Sequence, residues 1–389
     1  MAKKRRKLVI RDSRRTFGRI ALLLLAVALV AGATIATVFL VKSCGVLLSV
    51  RTMQFDASNR YYGTGDGILY MRGGSLNFYS FDDEDKNYSI PLEGEPDGLI
   101  GSPGVKAVYS KSAVQIVNAP FNIETDGEID RVKCGTKHVA VYKKRADGGY
   151  ELRIYTNSGQ QVLQLPSGDS ASYYTEGQLM DFGFGDKNGS VLWTMELSTA
   201  SGSPRTTVTV YDLDRMTNSG IITLQGQLIE RMIFTDSGIY AVGTESLIRC
   251  SSADNREKYR VQIYGYRVED VTLAGGSPSM LLVPREGWEG FAGSGTARLL
   301  TVSEKDVADE TSVTVRLPEG TVDCCMVNGM LAAVTQNAVE LYTVSGKAAG
   351  SLKERLELGP TPVTSVQKLD EHHILIERSG ELTLLTVGK

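Results

Sequence analysis

Metal binding and imidazole acid–base chemistry both call on histidine, and this 389-residue chain has three, His138, His372 and His373. Neighbouring residues on a strand point to opposite faces, so His372 and His373 cannot chelate one ion together and no metal is expected. Thiol chemistry would draw on five cysteines, Cys44, Cys134, Cys250, Cys324 and Cys325. No C-x-x-C spacing occurs, and a bridge between adjacent Cys324 and Cys325 is strained, so buried thiols are expected. Cys44 stands apart as a thiol that could bridge two chains. Asp181-Phe182-Gly183 copies a kinase tripeptide without the glycine-rich loop or catalytic loop that chemistry needs, and reads as a turn. Gly183-Phe184-Gly185 and Gly293-Ser294-Gly295 lack the remaining glycine of a dinucleotide fingerprint, and no Gly-x-Ser-x-Gly elbow occurs. Asp82-Asp83-Glu84-Asp85 and Asp186-Lys187-Asn188-Gly189 offer hard oxygen ligands, but their turn chemistry marks them as solvated turns. A protein without catalytic residues or cofactor is expected.

Binding chemistry has one better candidate. The segment Arg285-Glu286-Gly287-Trp288-Glu289-Gly290-Phe291 places two large aromatics in a glycine-rich loop. Aromatic residues are enriched at interfaces, so Trp288 and Phe291 are the candidate contacts, unless Trp288 folds back over a neighbouring edge.

Charge is strongly partitioned. Residues 1–19 hold nine bases against Asp12, and since the whole chain is −3, residues 43–389 carry −12 once Lys42 is counted. Phosphate binding needs a concentrated basic face, so nucleic acid is not an expected partner of the long acidic part. Between Arg19 and Lys42 the residues Ile20 to Val41 contain no charge and no proline. At 1.5 Å per residue they reach about 33 Å as a helix, enough to cross a hydrocarbon core of roughly 30 Å. A transmembrane signal anchor over 20–41 is therefore expected, its flanking bases holding residues 1–19 in the cytoplasm. The run is too long for the core of a cleaved signal peptide. Residues 42–49 read as a juxtamembrane linker and 50–389 as an extracytoplasmic domain. Ala28, Gly32 and Ala36 share one helix face and would let two helices approach closely, so a homodimer through that face is a further expectation.

The elements of the long part repeat. An apolar, any, apolar, Tyr pattern followed by a turn residue occurs at Leu76–Tyr79, Leu152–Tyr155, Val208–Tyr211 and Val339–Tyr342. Relaxing Tyr to another residue adds copies ending at Val117, Cys250, Leu300 and Leu385. The spacing is near 40 residues with strand-like alternation, which matches one four-stranded blade of a β-propeller. The fold class expected is all-β, a β-propeller of eight blades (seven being the alternative) preceded by a single transmembrane α-helix. Because Leu385 lies four residues from the end, the last blade lacks an outer strand, and residues 50–55 are expected to supply it.

The Tyr-x-x-Ser-Gly turns at Tyr155–Gly159 and Tyr342–Gly346 resemble those of quinoprotein-type propeller repeats, and an anchor followed by such a ring resembles uncharacterised membrane-anchored propeller proteins of Gram-positive bacteria. The resemblance spans residues 46–389. It implies an extracytoplasmic, non-catalytic binding or scaffold platform in the cell membrane, contacting lipid through residues 20–41 and envelope proteins or cell-wall ligands through its ring. Two other functions compete: a propeller enzyme, either a quinone-dependent dehydrogenase or a hydrolase with a central site, and a structural dimer held by the transmembrane helix.

Overall fold

The structure is a computed structural model that describes residues 46–388 apart from 121, 146–148, 166–176, 186–187, 236–237, 274–276, 286–294, 304, 306–308, 345 and 347. The expected anchor over 20–41, its face of Ala28, Gly32 and Ala36, and Cys44 lie outside the described residues. Among the described residues no helix is long and apolar enough to cross a membrane.

Residues 48–388 form eight antiparallel sheets of four strands each. Seven of them are built from strands consecutive in the chain, as in Arg131–Cys134, His138–Lys144, Tyr150–Thr156 and Gln161–Leu165 of blade 3. The first strands of blades 1 to 4 touch in succession, as do those of blades 6 to 8, so first strands line the axis and fourth strands form the rim. This is an eight-bladed β-propeller.

Burial follows position within the blade. Several second strands, covered on both faces by neighbouring blades, are buried along their whole length. Gly238–Gly243 and Met330–Thr335 are buried at every residue. Rim strands alternate instead, as Thr217–Gln225 shows by burying Ile222 and Leu224 while exposing Ile221, Thr223 and Gln225. The apolar clusters lie between blades. Leu281, Val283 and Leu299 of blade 6 meet Cys324, Met326 and Leu331 of blade 7 in one of them. Each such large side chain contributes about 1.5–3 kcal/mol by leaving water, so a blade is stable only when flanked.

The eighth sheet joins the two ends of the ring. Its outer strand is Leu48–Asp56, paired antiparallel with Glu381–Val387 from Leu48↔Val387 to Thr52↔Thr383. Phe55 then stacks on Tyr70 of blade 1, and Phe81 of blade 1 stacks on His373 of blade 8. The face where the hairpins between second and third strands lie is called the upper face here. Rim-to-axis crossings between blades emerge there too. The chain enters the ring at Leu48 on the opposite, lower face, since Leu48 pairs with the end of a strand that begins at an upper hairpin.

Candidate functional site

The expected aromatic contacts, Trp288 and Phe291, lie outside the described residues. Their flanks do not: Ser279–Pro284 ends and Thr296–Val302 begins on the upper face of blade 6. Arg285, the last described residue before the loop, is held there firmly. Its guanidinium donates from Nη1 and Nη2 to the two carboxylate oxygens of Glu230 at 2.8 and 2.7 Å, and from Nε to the Tyr266 carbonyl at 2.8 Å. Such two-point pairing fixes direction as well as distance, and it ties the top of blade 5 to the top of blade 6.

Beside this clamp the chain makes a tight turn. Tyr266 N–H donates to the Ile263 carbonyl at 2.9 Å, and Gly265 at the third turn position has φ +80°. A type II turn needs a left-handed residue there, which only glycine adopts without strain. The second turn position is thereby pushed outward, and it carries Tyr264, 79% exposed. Leu228, 38% exposed, lies on the same side of blade 5. The connection between the two is bonded throughout. Thr244 N–H donates to the Leu228 carbonyl at 2.9 Å, and Ile263 N–H to the Glu245 carbonyl at 2.8 Å. Buried Gln227 locks the Thr244–Glu245 hairpin, accepting from the amides of Glu245 and Ser246 at 3.0 and 2.9 Å and donating to the Ser246 carbonyl and hydroxyl. The result is a hydrogen-bonded upper edge of blade 5 that exposes two apolar side chains, Tyr264 and Leu228, beside an ion pair. It can contact a partner without ordering itself first, which lowers the entropic cost of binding. Sequence reasoning missed Tyr264; the available signal was a Tyr-Gly pair between two strand-like segments, which placed an aromatic in a turn.

The axis carries a second cluster. On the first strand of blade 6, Tyr266–Thr272, Asp270 accepts the Met326 amide of blade 7 at 2.7 Å and pairs with Lys368 of blade 8 at 3.0 Å. Lys368 Nζ also reaches the Val271 carbonyl at 3.2 Å and Glu371 at 3.4 Å, while Thr272 Oγ1 donates to Glu371 at 2.6 Å. An ammonium has three donors, and all three are engaged. Asp323 sits nearby, and burial together with the Glu269 and Asp270 charges pushes its carboxyl up to about 6. The charges of the axis thus bind three blades to one another. Among the described residues no group of three or more His, Cys, Asp or Glu side chains is placed to hold a metal ion.

The remaining sequence candidates take structural places. Asp181, Phe182 and Gly183 form no turn but belong to the axial strand Gln178–Phe184, where Phe182 is buried and Asp181 pairs with Lys133 of blade 3 at 2.7 Å. A turn reading failed because charged axial residues find partners on the neighbouring blade. Asp83 caps a short 3-10 turn, Glu84–Lys86, by accepting the Asp85 amide. Cys134, Cys250, Cys324 and Cys325 are free thiols, and burial pushes Cys134 up to about 12 and Cys250 to about 11. Thiols so raised are poor nucleophiles. His138 and His373 are buried on the second strands of blades 3 and 8, His373 pairing with Asp370 at 2.8 Å.

No family model matches this sequence, and no curated protein matches it. Among solved structures, the chain is similar to the crystal structure of the computationally designed Ika8 protein. Identity is 10%, the TM-score 0.51, and the match covers 88% of this chain and 100% of that one. It is similar also to the WD40 domain of SCAP from fission yeast, again at 10% identity, with a TM-score of 0.55 over 88% of this chain and 98% of that one. At such identity the likeness shows the propeller fold alone.

Proposed function

We propose that this protein is a membrane-anchored, extracytoplasmic β-propeller that acts as a non-catalytic docking platform, with envelope proteins or cell-wall ligands as partners. The observation that carries the reading is the exposure of Tyr264 and Leu228 on the hydrogen-bonded upper edge of blade 5, beside the Arg285–Glu230 clamp. The chain enters the ring on the other face, at Leu48. The aromatic loop with Trp288 and Phe291 follows Arg285 of the same clamp in the chain. Propellers commonly serve as binding platforms because loops on a rigid scaffold can vary without unfolding it. The Tyr155–Gly159 and Tyr342–Gly346 turns support a quinoprotein-type relationship, and Ala28, Gly32 and Ala36 support helix pairing in the membrane.

The test is proximity labelling in native cells by the full chain carrying a labelling enzyme after Lys389, compared with its Tyr264→Ala and Arg285→Ala variants. A small, reproducible set of envelope proteins is expected, depleted about tenfold or more in either variant, since aromatic and arginine anchors commonly carry 2 kcal/mol or more. The same set at the same yield from all three chains would overturn the docking face. Labelling of cytoplasmic proteins would overturn the orientation.

A further inference from the structure

Rim strands are open edges, and proteins normally protect them by shortness, proline or charge. The rim of this ring follows that rule with one exception among the described strands longer than five residues. Tyr88–Pro91 ends in proline, Ile123–Glu124 is very short, and Gln161–Leu165, likewise uncharged, spans five residues and exposes only Gln161. Glu257–Gln262, Glu310–Arg316, Leu352–Glu357 and Leu48–Asp56 all carry charged side chains. Blade 4 alone presents a nine-residue edge, Thr217–Gln225, with neither charge nor proline.

Its free hydrogen-bonding groups can be assigned. The Gly226 amide donates to the Pro204 carbonyl at 3.2 Å, and the register Arg205↔Gln225 to Val210↔Gly220 is unbroken. Amide groups alternate along an antiparallel strand, so Gly220, Ile222 and Leu224 face the third strand while Ile221, Thr223 and Gln225 face outward. The irregularity of this edge lies below that stretch, between the pairs Val210↔Gly220 and Tyr211↔Asn218, where Asn255 of blade 5 approaches the Ser219 carbonyl. Residues 221–225 are clear of it. Their exposed side chains are Ile221, 56% exposed, Thr223 and Gln225.

We propose that this edge pairs with the same edge of a second copy of the chain, antiparallel and two-fold symmetric about Thr223. In that register Thr223 opposes its own copy and Ile221 opposes Gln225, each pair exchanging two N–H···O bonds. No like charges meet, because the strand has none. A Thr–Thr pair is among the favourable cross-strand pairs, and an isologous contact of this kind closes as a dimer without leading to filaments. The charged rim strands would instead have to bury or oppose their Lys, Arg and Glu side chains. Blades 4 of two rings then make one continuous sheet. The proposal stands independently of the docking face and of the membrane helix.

A short edge pairing falls well below the roughly 1,600 Å² of a standard interface, so site-specific cross-linking reads it better than elution volume. The full chain is used with Cys44→Ser as background, since Cys250, Cys324 and Cys325 are buried in the ring and Cys134 is partly covered. Thr223→Cys under a mild oxidant is expected to give a disulfide-linked dimer, because facing residues of such a pair lie about 5.5 Å apart at Cα. Ile221→Cys and Gln225→Cys are each expected to link about tenfold less alone, yet to link to each other when the two chains are co-expressed. Adding Ile221→Lys to the Thr223→Cys chain is expected to abolish the dimer. Absence of a dimer from Thr223→Cys, equal linkage from Ile221→Cys alone, or linkage to a different protein would each overturn the proposal.

Discussion

Two carboxylates in this ring are displaced in opposite directions, and the displacement sets how its stability responds to pH. Asp323 on the axial strand Thr321–Val327 is pushed up to about 6 by burial and by the neighbouring Glu269 and Asp270. Its unfolded value is about 3.9, so the folded chain holds this proton more tightly. The stabilisation that follows is complete below about pH 4 and is lost as pH rises through about 6. Replacing Asp323 with Asn keeps an oxygen for the Cys324 amide, which now donates at 2.7 Å, and removes the charge. Asp323→Asn is expected to raise the melting temperature at pH 7.5 and leave it nearly unchanged at pH 4. An equal shift at both values would show that charge is not the cause. Asp370 runs the other way. Burial works to raise its carboxyl, but the His373 ring and the His372 and His373 amides, donating at 2.6 and 2.7 Å, hold it below the usual range. Its contribution is present above about pH 3.9 and fades as pH falls through the lower folded value. Asp370→Ala should therefore cost about 2 kcal/mol near pH 7 and markedly less near pH 2, read from denaturant midpoints.

Blades keep their spacing through a device repeated from one strand to the next. A methyl group built on Gly135, just past the first strand of blade 3, would lie 2.5 Å from the Phe184 ring of blade 4. One on Gly185 would lie 2.6 Å from the Phe234 ring of blade 5. Each ring also stacks on an aromatic of the preceding blade, Phe184 on His138 and Phe234 on Trp193. Gly135→Ala is expected to destabilise the ring by about 1–3 kcal/mol, the usual cost of overpacking. Adding Phe184→Leu should recover part of that loss, whereas a purely local backbone effect would not be rescued from blade 4. The elements that sequence alone reveals are the third strands. Tyr79, Tyr155, Tyr211, Cys250, Leu300, Tyr342 and Leu385 all fall on them, and Val117 lies one residue beyond Ala113–Ile116. Those strands are covered on both faces and end in a turn, so their pattern is complete within a few residues. First strands are different. Tyr266–Thr272 reads as a charged, mixed segment because Asp270 finds its cation at Lys368, nearly a hundred residues further on. The same limit hid Tyr264, since the turn that exposes it packs beside a hairpin held by Gln227 from the preceding crossing.

The ring as a whole has one junction that is not made by consecutive chain, the pairing of Leu48–Asp56 with Glu381–Val387. Every other blade can form from local hairpins, whereas this one must bring together segments more than three hundred residues apart. Closing so long a loop carries the largest entropic cost in the fold, although that cost grows only as the logarithm of loop length. The return is that both end blades become flanked, as Phe55 meets Tyr70 and Phe81 meets His373. A covalent closure at this junction should therefore stabilise the whole ring and not blade 8 alone. Ser49 faces Thr386 across the pair, and neither side chain belongs to the buried apolar core. In a Cys44→Ser background, the double variant Ser49→Cys, Thr386→Cys is expected to raise the unfolding free energy by about 2–4 kcal/mol when oxidised, and to return to the parent value on reduction. Near-ultraviolet dichroism of Trp193 and fluorescence of the tyrosines should shift by the same amount, since a ring whose blades support one another unfolds in a single transition. A gain confined to one probe would mean that the blades unfold separately and that the junction closes only its own sheet.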